Sequence, residues 1–515
     1  MTTSPENHPD PAAHAVLDPA LRVGAVDRRL FGSFVEHMGR CVYTGIYEPG
    51  HEHADSDGLR TDVLELTREL GVSVVRYPGG NFVSGYRWED GVGPREQRPV
   101  RLDMAWRQLE SNEFGLGEFI TWARKAGVEP MLAINLGTRG VQEAADLVEY
   151  ANVSSGTRLS DLRRSHGFEQ PFGIRLWCLG NEMDGPWQIG HKTATEYGRL
   201  AAEAGKAMRR IDPDIELVAC GSSSSAMPTF GAWEDTVLEL TFDVADYVSM
   251  HAYYEDPDGD PDSFLACAVD MDRFITRVTA TADAVAARRR SDKVIRVSFD
   301  EWNVWYQSRF AGETNLQLRS VPRLIEDEYS LIDAVVVGSL LVTLLRHADR
   351  VAIACLAQLV NVIAPIRSEP GGPAWRQTTF HPFALVARLA RGQVLRVEPG
   401  GPTVTTTRFG DVPAVEATAT YDADNGELAV FAVNRDRSGA HQLTLDLAGF
   451  TRDGGARPEL AEHTVLAGDE SATNTAAHQD RVVLREGSGA QLRDGGLSVA
   501  LPAMSFTALR LTTAA

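Results

Sequence analysis

Along residues 30–356, short apolar runs of strand character alternate with longer segments of helical periodicity. Eight such runs are legible: Leu30–Val35, Ser73–Tyr77, Pro130–Asn135, Ile174–Leu179, Glu216–Cys220, Tyr247–His251, Val294–Phe299 and Val351–Leu356. Amphipathic segments lie between or after them, among them Leu59–Leu70 ahead of Gly71, Phe114–Ala126 ahead of Gly127, Thr193–Ile211 ahead of Pro213, and Glu326–Arg346. A glycine just past the last turn is a helix stop, because a residue without Cβ enters the left-handed region at no steric cost. Strand, helix and strand in repetition pair parallel through right-handed crossovers. Eight units closing on themselves predict a (β/α)8 TIM barrel; an open doubly wound sheet is the other fold this alternation serves.

Beyond Pro382 the pattern changes. Helical periodicity fades after Phe383–Arg391, and short runs rich in Thr and Val follow: Thr403–Arg408, Ala414–Tyr421, Glu427–Asn434, His441–Leu447, Glu462–Leu466, Arg481–Leu484, Ser498–Pro502 and Ser505–Leu511. Asp422–Gly426 and Asp453–Gly455 read as turns, and Gly468–His478 as an exposed loop. Many short strands predict a C-terminal antiparallel β-sandwich, jelly-roll-like in kind, so the whole chain is of the α/β class with an appended β domain. The expected division is residues 1–25 as an N-terminal segment joining the sandwich, 26–385 as the catalytic barrel, and 386–515 as the sandwich domain.

Charge narrows the partners. The formal net charge of -21 argues against nucleic acid and anionic membrane, both of which call for a basic surplus. The five cysteines, Cys41, Cys178, Cys220, Cys267 and Cys355, are odd in number and scattered, which fits reduced buried thiols rather than a disulfide framework. Met1–His14, polar and rich in Pro and Ala, does not read as a secretory signal, and Ala334–Leu345, the longest apolar stretch, falls short of the roughly 18 residues of a membrane span. A cytoplasmic protein is expected.

In a barrel of this kind the chemistry sits just past the C-terminal ends of the strands. The first run ends in Glu36 and His37, the second in Arg76 and Tyr77-Pro78-Gly79-Gly80-Asn81, and the third at Asn135. The fourth ends in Gly180-Asn181-Glu182, the fifth at Ser222, the sixth in His251-Ala252-Tyr253-Tyr254 and the seventh in Asp300-Glu301-Trp302-Asn303, while Gln358 and Asn361 follow the eighth. One mouth therefore gathers acids, amides and aromatic faces without a cluster of cations, which suits a neutral, hydroxyl-rich ligand. Glu182 and Glu301, on strands four and seven, stand nearly across the mouth from each other. Paired carboxylates are what glycosidic cleavage needs, one protonated and one ionised.

Several stretches carry a resemblance. Phe34–Arg40, Arg76–Phe82, Trp177–Trp187, Asp300–Tyr306 and Ala357–Pro365 are similar to those of the glycoside hydrolase family 51 α-L-arabinofuranosidases, retaining enzymes with catalytic Glu on strands four and seven. The resemblance runs through the barrel and on to Leu501-Pro502 and Ser505-Phe506. It implies Glu182 as general acid/base and Glu301 as nucleophile. It implies Glu36, Asn81 and Asn181 on the furanose hydroxyls, with Asn181 at the 2-hydroxyl, and Tyr253 orienting the nucleophile. Gln358 and Trp305 are implied as floor and wall of the sugar pocket, Trp106 as a further wall, and Arg76 and His251 as groups tuning Glu301 from behind. Release of terminal arabinofuranosyl residues from small oligosaccharides follows, with no cofactor, no metal and a homo-oligomer, often a hexamer. Glu301 is expected ionised beside Arg76, its charge raising the proton affinity of Glu182.

Other readings stay open at this stage. A β-xylosidase or endoglucanase of the same chemistry depends on pocket depth. A non-catalytic carbohydrate-binding protein is disfavoured by the presence of both acids, and a metal-dependent lyase by the lack of ligand clusters. His51-Glu52-His53 with Asp55 and Asp57 reads as a polar surface loop. Gly115-Leu116-Gly117 lacks the spacing of a phosphate loop, Ser222–Ser225 lacks a nucleophile elbow, and Cys178 and His37 read as structural.

Overall fold

The computed structural model describes residues 12–312, 315–452, 457–493 and 495–513. The turn expected at Asp453–Gly455 and residues 1–11 of the N-terminal segment lie outside them.

Two short strands come first, β1 (Ala13–Val16) and β2 (Arg22–Ala25). The barrel strands are β3 (Gly32–Phe34), β4 (Val74–Tyr77), β7 (Glu129–Ala133), β8 (Leu176–Leu179), β9 (Glu216–Ala219), β10 (Tyr247–Tyr254), β11 (Arg296–Val304) and β12 (Val351–Leu356). A small hairpin, β5 (Arg101–Leu102) with β6 (Leu109–Glu110), stands in the loop after β4. The eight barrel strands pair in parallel around a closed circuit, with β12 returning to β3. Each of the eight apolar runs is a barrel strand. They read as continuous apolar runs because helices cover one face and interior side chains fill the other.

The helices end where the sequence stops them. Thr61–Leu70 closes on Gly71 at φ 81° and Leu116–Ala126 on Gly127 at φ 76°. Ala194–Ile211 opens on a reciprocal cap: the Thr193 hydroxyl accepts from Glu196 N, and the Glu196 carboxylate accepts from Thr193 N at 3.0 Å. The segment expected as Glu326–Arg346 becomes helical only at Leu331. There the Asp333 carboxylate turns back to accept the Ser330 N–H at 2.7 Å, so the first turn starts at that cap.

After the barrel come a hairpin of β13 (Ile366–Ser368) and β14 (Ala374–Arg376), then β15 (Gln393–Leu395), β16 (Thr403–Thr406), β17 (Gly410–Pro413), β18 (Val415–Asp422), β19 (Glu427–Asn434) and β20 (His441–Asp446). They are followed by β21 (Pro458–Leu466), β22 (Arg485–Glu486), β23 (Gln491–Arg493), β24 (Gly496–Leu501) and β25 (Ser505–Thr513). These build a seven-stranded sheet, β2-β15-β18-β19-β25-β21-β22, facing a four-stranded sheet, β1-β20-β24-β23. Residues 12–25 thus add one strand to each sheet. The sandwich is not wholly antiparallel, because β1 runs parallel to β20. Arg481–Leu484 is not a strand; pairing begins at Arg485. Gly468–His478 is irregular but not free: Asn474 is buried and exchanges hydrogen bonds of 2.8 and 2.9 Å with the backbone of Val482.

An apolar core lies between the two sheets, with Leu428, Val430, Leu443, Val499, Leu509 and Leu511 at its centre. The intervening residues of β19, Ala429, Phe431 and Val433, belong instead to the large cluster that fills the barrel's helical shell. Both faces of β19 are therefore buried, and its side chains divide between the two cores by the strand period of two.

Candidate active site

A cavity of about 360 Å³ opens at the C-terminal ends of the barrel strands. Glu36, Asn81, Trp106, Glu182, Tyr253, Glu301, Trp305 and Gln358 all line it. Arg76 and His251 are buried and meet Glu301 and Glu182 at its wall, and buried Asn181 is held by Arg76. The residues singled out in the sequence are thus brought into one place.

Glu301 lies on β11. Its Oε1 accepts from Arg76 Nη1 at 2.7 Å and its Oε2 from the Tyr253 hydroxyl at 2.7 Å. Burial is the largest influence on its carboxyl and raises the pKa; the charges of His251 and Arg76 pull it back, and that of Glu182 adds to the rise. The net direction is upward. Glu301 is expected from the sequence to be ionised beside Arg76 and polar donors; those groups are in place, and burial works against them.

Glu182 follows β8 in a tight turn. Its backbone sits at φ 43°, next but one to Gly180 at φ 93°. A non-glycine residue in that region is strained by about 1–3 kcal/mol, a cost met where the surrounding structure dictates the side chain's aim. Its Oε1 lies 2.8 Å from His251 Nδ1, and its Oε2 accepts from Trp187 Nε1 at 2.7 Å. Oxygens of Glu182 and Glu301 and Nδ1 of His251 all fall within 4.8 Å of one another.

Those three groups are the one set among the described residues whose spacing could hold a metal ion. His251 argues against that use. Its Nε2 lies 3.2 Å from Asp300 Oδ1, so both ring nitrogens face carboxylates. With its pKa lifted to about 10 the ring is doubly protonated at neutral pH, so both nitrogens donate and no lone pair is left for a metal. Burial alone would lower its pKa; the charge of Glu301 and the hydrogen bonds to Asp300 and Glu182 lift it to about 10.

Glu36 forms the far wall. Its Oε1 accepts from Phe82 N and Trp106 Nε1, each at 2.9 Å, and its Oε2 from Gln358 Nε2 at 3.2 Å. Burial raises its pKa to about 8. Trp106 is brought in by the β5–β6 hairpin, whose Asp103 accepts from the backbone of Ala105 and Trp106 at 3.0 Å each. Gly80 lies between the acids: a Cβ there would stand 3.2 Å from Glu301 Oε1 and 3.4 Å from Glu36 Oε2, so the bare backbone keeps the floor open.

Arg76 Nη2 donates to Asn181 Oδ1 at 2.7 Å, which turns the Asn181 amide nitrogen outward. Asn181 Nδ2, Gln358 Oε1 and Trp305 Nε1 are buried and have no hydrogen-bond partner among the described residues. Three unmatched polar atoms at one pocket are what a polyhydroxylated ligand satisfies. Tyr253 and Trp305 meet edge to face at 5.1 Å, and Phe310 extends that aromatic wall towards Trp106.

Reasoning from strand ends missed Trp187, Phe310, Ser223 and Asp300 as site residues. Trp187, Phe310 and Ser223 line the cavity from loops that alternation does not place. Asp300 was hidden by its neighbour, since alternate strand residues normally face opposite ways. Here the register shifts between Phe299 and Trp302, and a bulge there lets Asp300 and Glu301 both meet Arg76. His37 is structural: it bridges Glu110 and the Tyr77 hydroxyl, each at 2.8 Å. All five cysteines are free and buried. The His51 loop is less polar than expected, because His51 is buried and bonded to Gly372 O at 3.0 Å. Asp55 and Asp57 pair with Lys125.

Comparison with known proteins follows the same lines. The α-L-arabinofuranosidase 1 domain model matches residues 66–271, and the α-L-arabinofuranosidase C-terminal domain model residues 300–505. An intracellular exo-α-(1→5)-L-arabinofuranosidase of Streptomyces lividans is 60% identical, over 97% of this chain and 75% of that protein. An exo-α-(1→6)-L-arabinofuranosidase of Bifidobacterium longum is 54% identical over 96% of each. A solved family 51 α-L-arabinofuranosidase from Bifidobacterium longum superposes with a TM-score of 0.92 at 47% identity, over 97% of this chain and 99% of that one.

Proposed function

Because this chain belongs to the glycoside hydrolase family 51 α-L-arabinofuranosidases, we propose that its pocket removes terminal, non-reducing α-L-arabinofuranosyl residues from short arabino-oligosaccharides with retention of configuration. One observation carries the mechanism: an oxygen of Glu182 and an oxygen of Glu301, held by different donor sets, lie within 4.8 Å of each other. Retaining enzymes hold their carboxyls about 5–5.5 Å apart, whereas inverting ones leave about 6.5–9.5 Å for a water.

Glu301, gripped by Arg76 and Tyr253, attacks the anomeric carbon. Protonated Glu182 gives its proton to the leaving oxygen, and a covalent arabinosyl-enzyme forms. Glu182, now ionised, takes a proton from water, and that water releases the sugar. Asn181 donates to the 2-hydroxyl, where the bond tightens as the ring gains oxocarbenium character. Glu36, Asn81 and Gln358 hold the remaining hydroxyls, and Trp305 packs against the ring. The barrel of residues 26–385 carries this chemistry, and residues 386–515 with the strands from 1–25 support it. A cytoplasmic location accords with the relatives named intracellular, and no helix among the described residues is long and apolar enough to cross a membrane. A homo-hexamer is proposed on the family resemblance; sedimentation at the 56.2 kDa of one chain would refute it.

The test is a screen of aryl furanosides and pyranosides, then linkage-defined oligosaccharides, with and without a chelator. Turnover of the α-L-arabinofuranoside, undiminished by chelator, is expected; preference for a pyranoside would overturn the substrate assignment. Glu301→Ala should abolish turnover of every substrate. Glu182→Ala should lose about 10²–10⁴-fold on oligosaccharides yet still form the arabinosyl-enzyme from an activated aryl substrate. Equal losses on both substrate types would refute the division of roles.

A further inference from the structure

Behind the two catalytic acids lies a third carboxylate that the mechanism above leaves unused. Asp300 is fully enclosed. Its Oδ2 lies 3.4 Å from Arg76 Nε on β4 and 3.6 Å from the Cys178 thiol on β8, and its Oδ1 lies 3.2 Å from His251 Nε2 on β10. The thiols of Cys220 and Cys355 also fall within its field. Burial pushes all three thiols upward, so they are neutral. That leaves Arg76 and His251 as the charged partners of Asp300 among the described residues. Each of them grips a catalytic acid: Arg76 holds Glu301 Oε1 at 2.7 Å, and His251 stands 2.8 Å from Glu182 Oε1 and 3.6 Å from Glu301 Oε2.

Resting on the functional reading above, we propose that Asp300 is a positioning residue that keeps His251 and Arg76 charged and thereby lodges the catalytic proton on Glu182. The reasoning is charge balance in an enclosed site. Two cations face three carboxyls, so this central set is neutral when one carboxyl carries a proton. Both oxygens of Asp300 are committed to cations. Both oxygens of Glu301 are committed to Arg76 and Tyr253, which favour its charged form. Glu182 faces one cation, His251, and the neutral Trp187 N–H, whereas Glu301 faces both Arg76 and His251, so the proton goes to Glu182. Asp184 sits on the Glu182 side with its carboxylate on Ser223 N and Oγ at 3.1 Å, and its charge reinforces the arrangement. Glu36, held up to about 8 by burial, is neutral over the same range.

Asp300→Asn keeps the shape and removes the charge. Every neighbouring proton is then held less tightly, so the pH profile of kcat/KM on an arabino-oligosaccharide should move to lower pH by about one unit. In a His251→Gln background the same substitution should move it distinctly less, because part of the link runs through that ring. A uniform loss of rate with an unmoved profile would overturn the proposal. A second measurement needs no folded Asp300 variant. Nitrogen-15 NMR of the histidine-labelled natural protein should show one imidazole, identified by its disappearance in His251→Gln, with both nitrogens protonated through pH 8. A neutral ring at pH 7 would refute it. Failure of the natural protein to turn over any aryl α-L-arabinofuranoside would overturn the functional reading instead, and the NMR result would still decide the charge arrangement.

Discussion

Glu36 shows what a sugar-binding carboxyl costs a fold. It is buried at the cavity wall, and burial lifts its pKa to about 8, against roughly 4.3 for an unfolded glutamate. A group raised on folding adds stability that is complete below its unfolded pKa and is lost as pH rises through the folded one. Glu36→Gln has no such titration. Its melting temperature should therefore gain on the natural protein between about pH 4.5 and pH 8, by on the order of 2 °C, and the gain should level off above that. Activity should fall in the same variant, because an amide presents the sugar hydroxyls with a different set of donors and acceptors from the carboxyl. Parallel melting curves across that pH range would show that Glu36 does not titrate as its burial dictates. The carboxylates at strand ends were legible because the barrel fixes where a strand end points. Asp300 was not, since the bulge that turns it inward beside Glu301 leaves no mark in the residue types.

The helix Leu331–Arg346 is the element with most to lose. Apolar residues run round nearly all of it, and it is buried along almost its whole length between the barrel and the seven-stranded sheet. Its polar residues are answered individually: Ser339 Oγ donates to Glu416 Oε2 at 2.6 Å and Thr343 Oγ1 to Glu416 Oε1 at 3.2 Å. Gly338 sits against the sheet, where a Cβ would come 2.5 Å from the Phe506 ring. Gly to Ala inside a helix ordinarily stabilises by about 0.5–1 kcal/mol. Here a fully buried ring would have to move, so Gly338→Ala should instead destabilise by about 1–3 kcal/mol. A rise in the denaturation midpoint would show that the ring gives way freely. The apolar composition of this helix was plain in the sequence, but its true start was not. Glu326–Ser330 continues the pattern, and only the reach of Asp333 back to Ser330 ends it.

At the scale of the molecule, the two folding units read from the sequence share one interior. The apolar cluster of the barrel's helical shell continues through Val335–Leu341 into Phe431, Val433, Phe506 and Ala508 of the sandwich. The alternation of β19 could announce a half-buried strand, yet both its faces are covered, and only the assembled fold shows what covers the second. No described residue of the sandwich lines the catalytic cavity. The sandwich's contribution to activity must then be structural. Burying one Val, Leu or Phe side chain stabilises by about 1.5–3 kcal/mol, so uncovering half a dozen is comparable with the roughly 5–15 kcal/mol that holds a domain folded. A fragment of residues 26–391, which retains every proposed site residue, should therefore aggregate or bind hydrophobic dyes, and it should lose turnover of aryl arabinofuranosides. Restoring solubility by substituting charged residues along the exposed sheet-facing side of Leu331–Arg346 should bring back part of the activity, since the strands that aim Glu182 and Glu301 lie wholly within the fragment. A fragment that is monomeric, unfolds cooperatively and is fully active without those substitutions would show that the shared core is dispensable and that the barrel closes on its own.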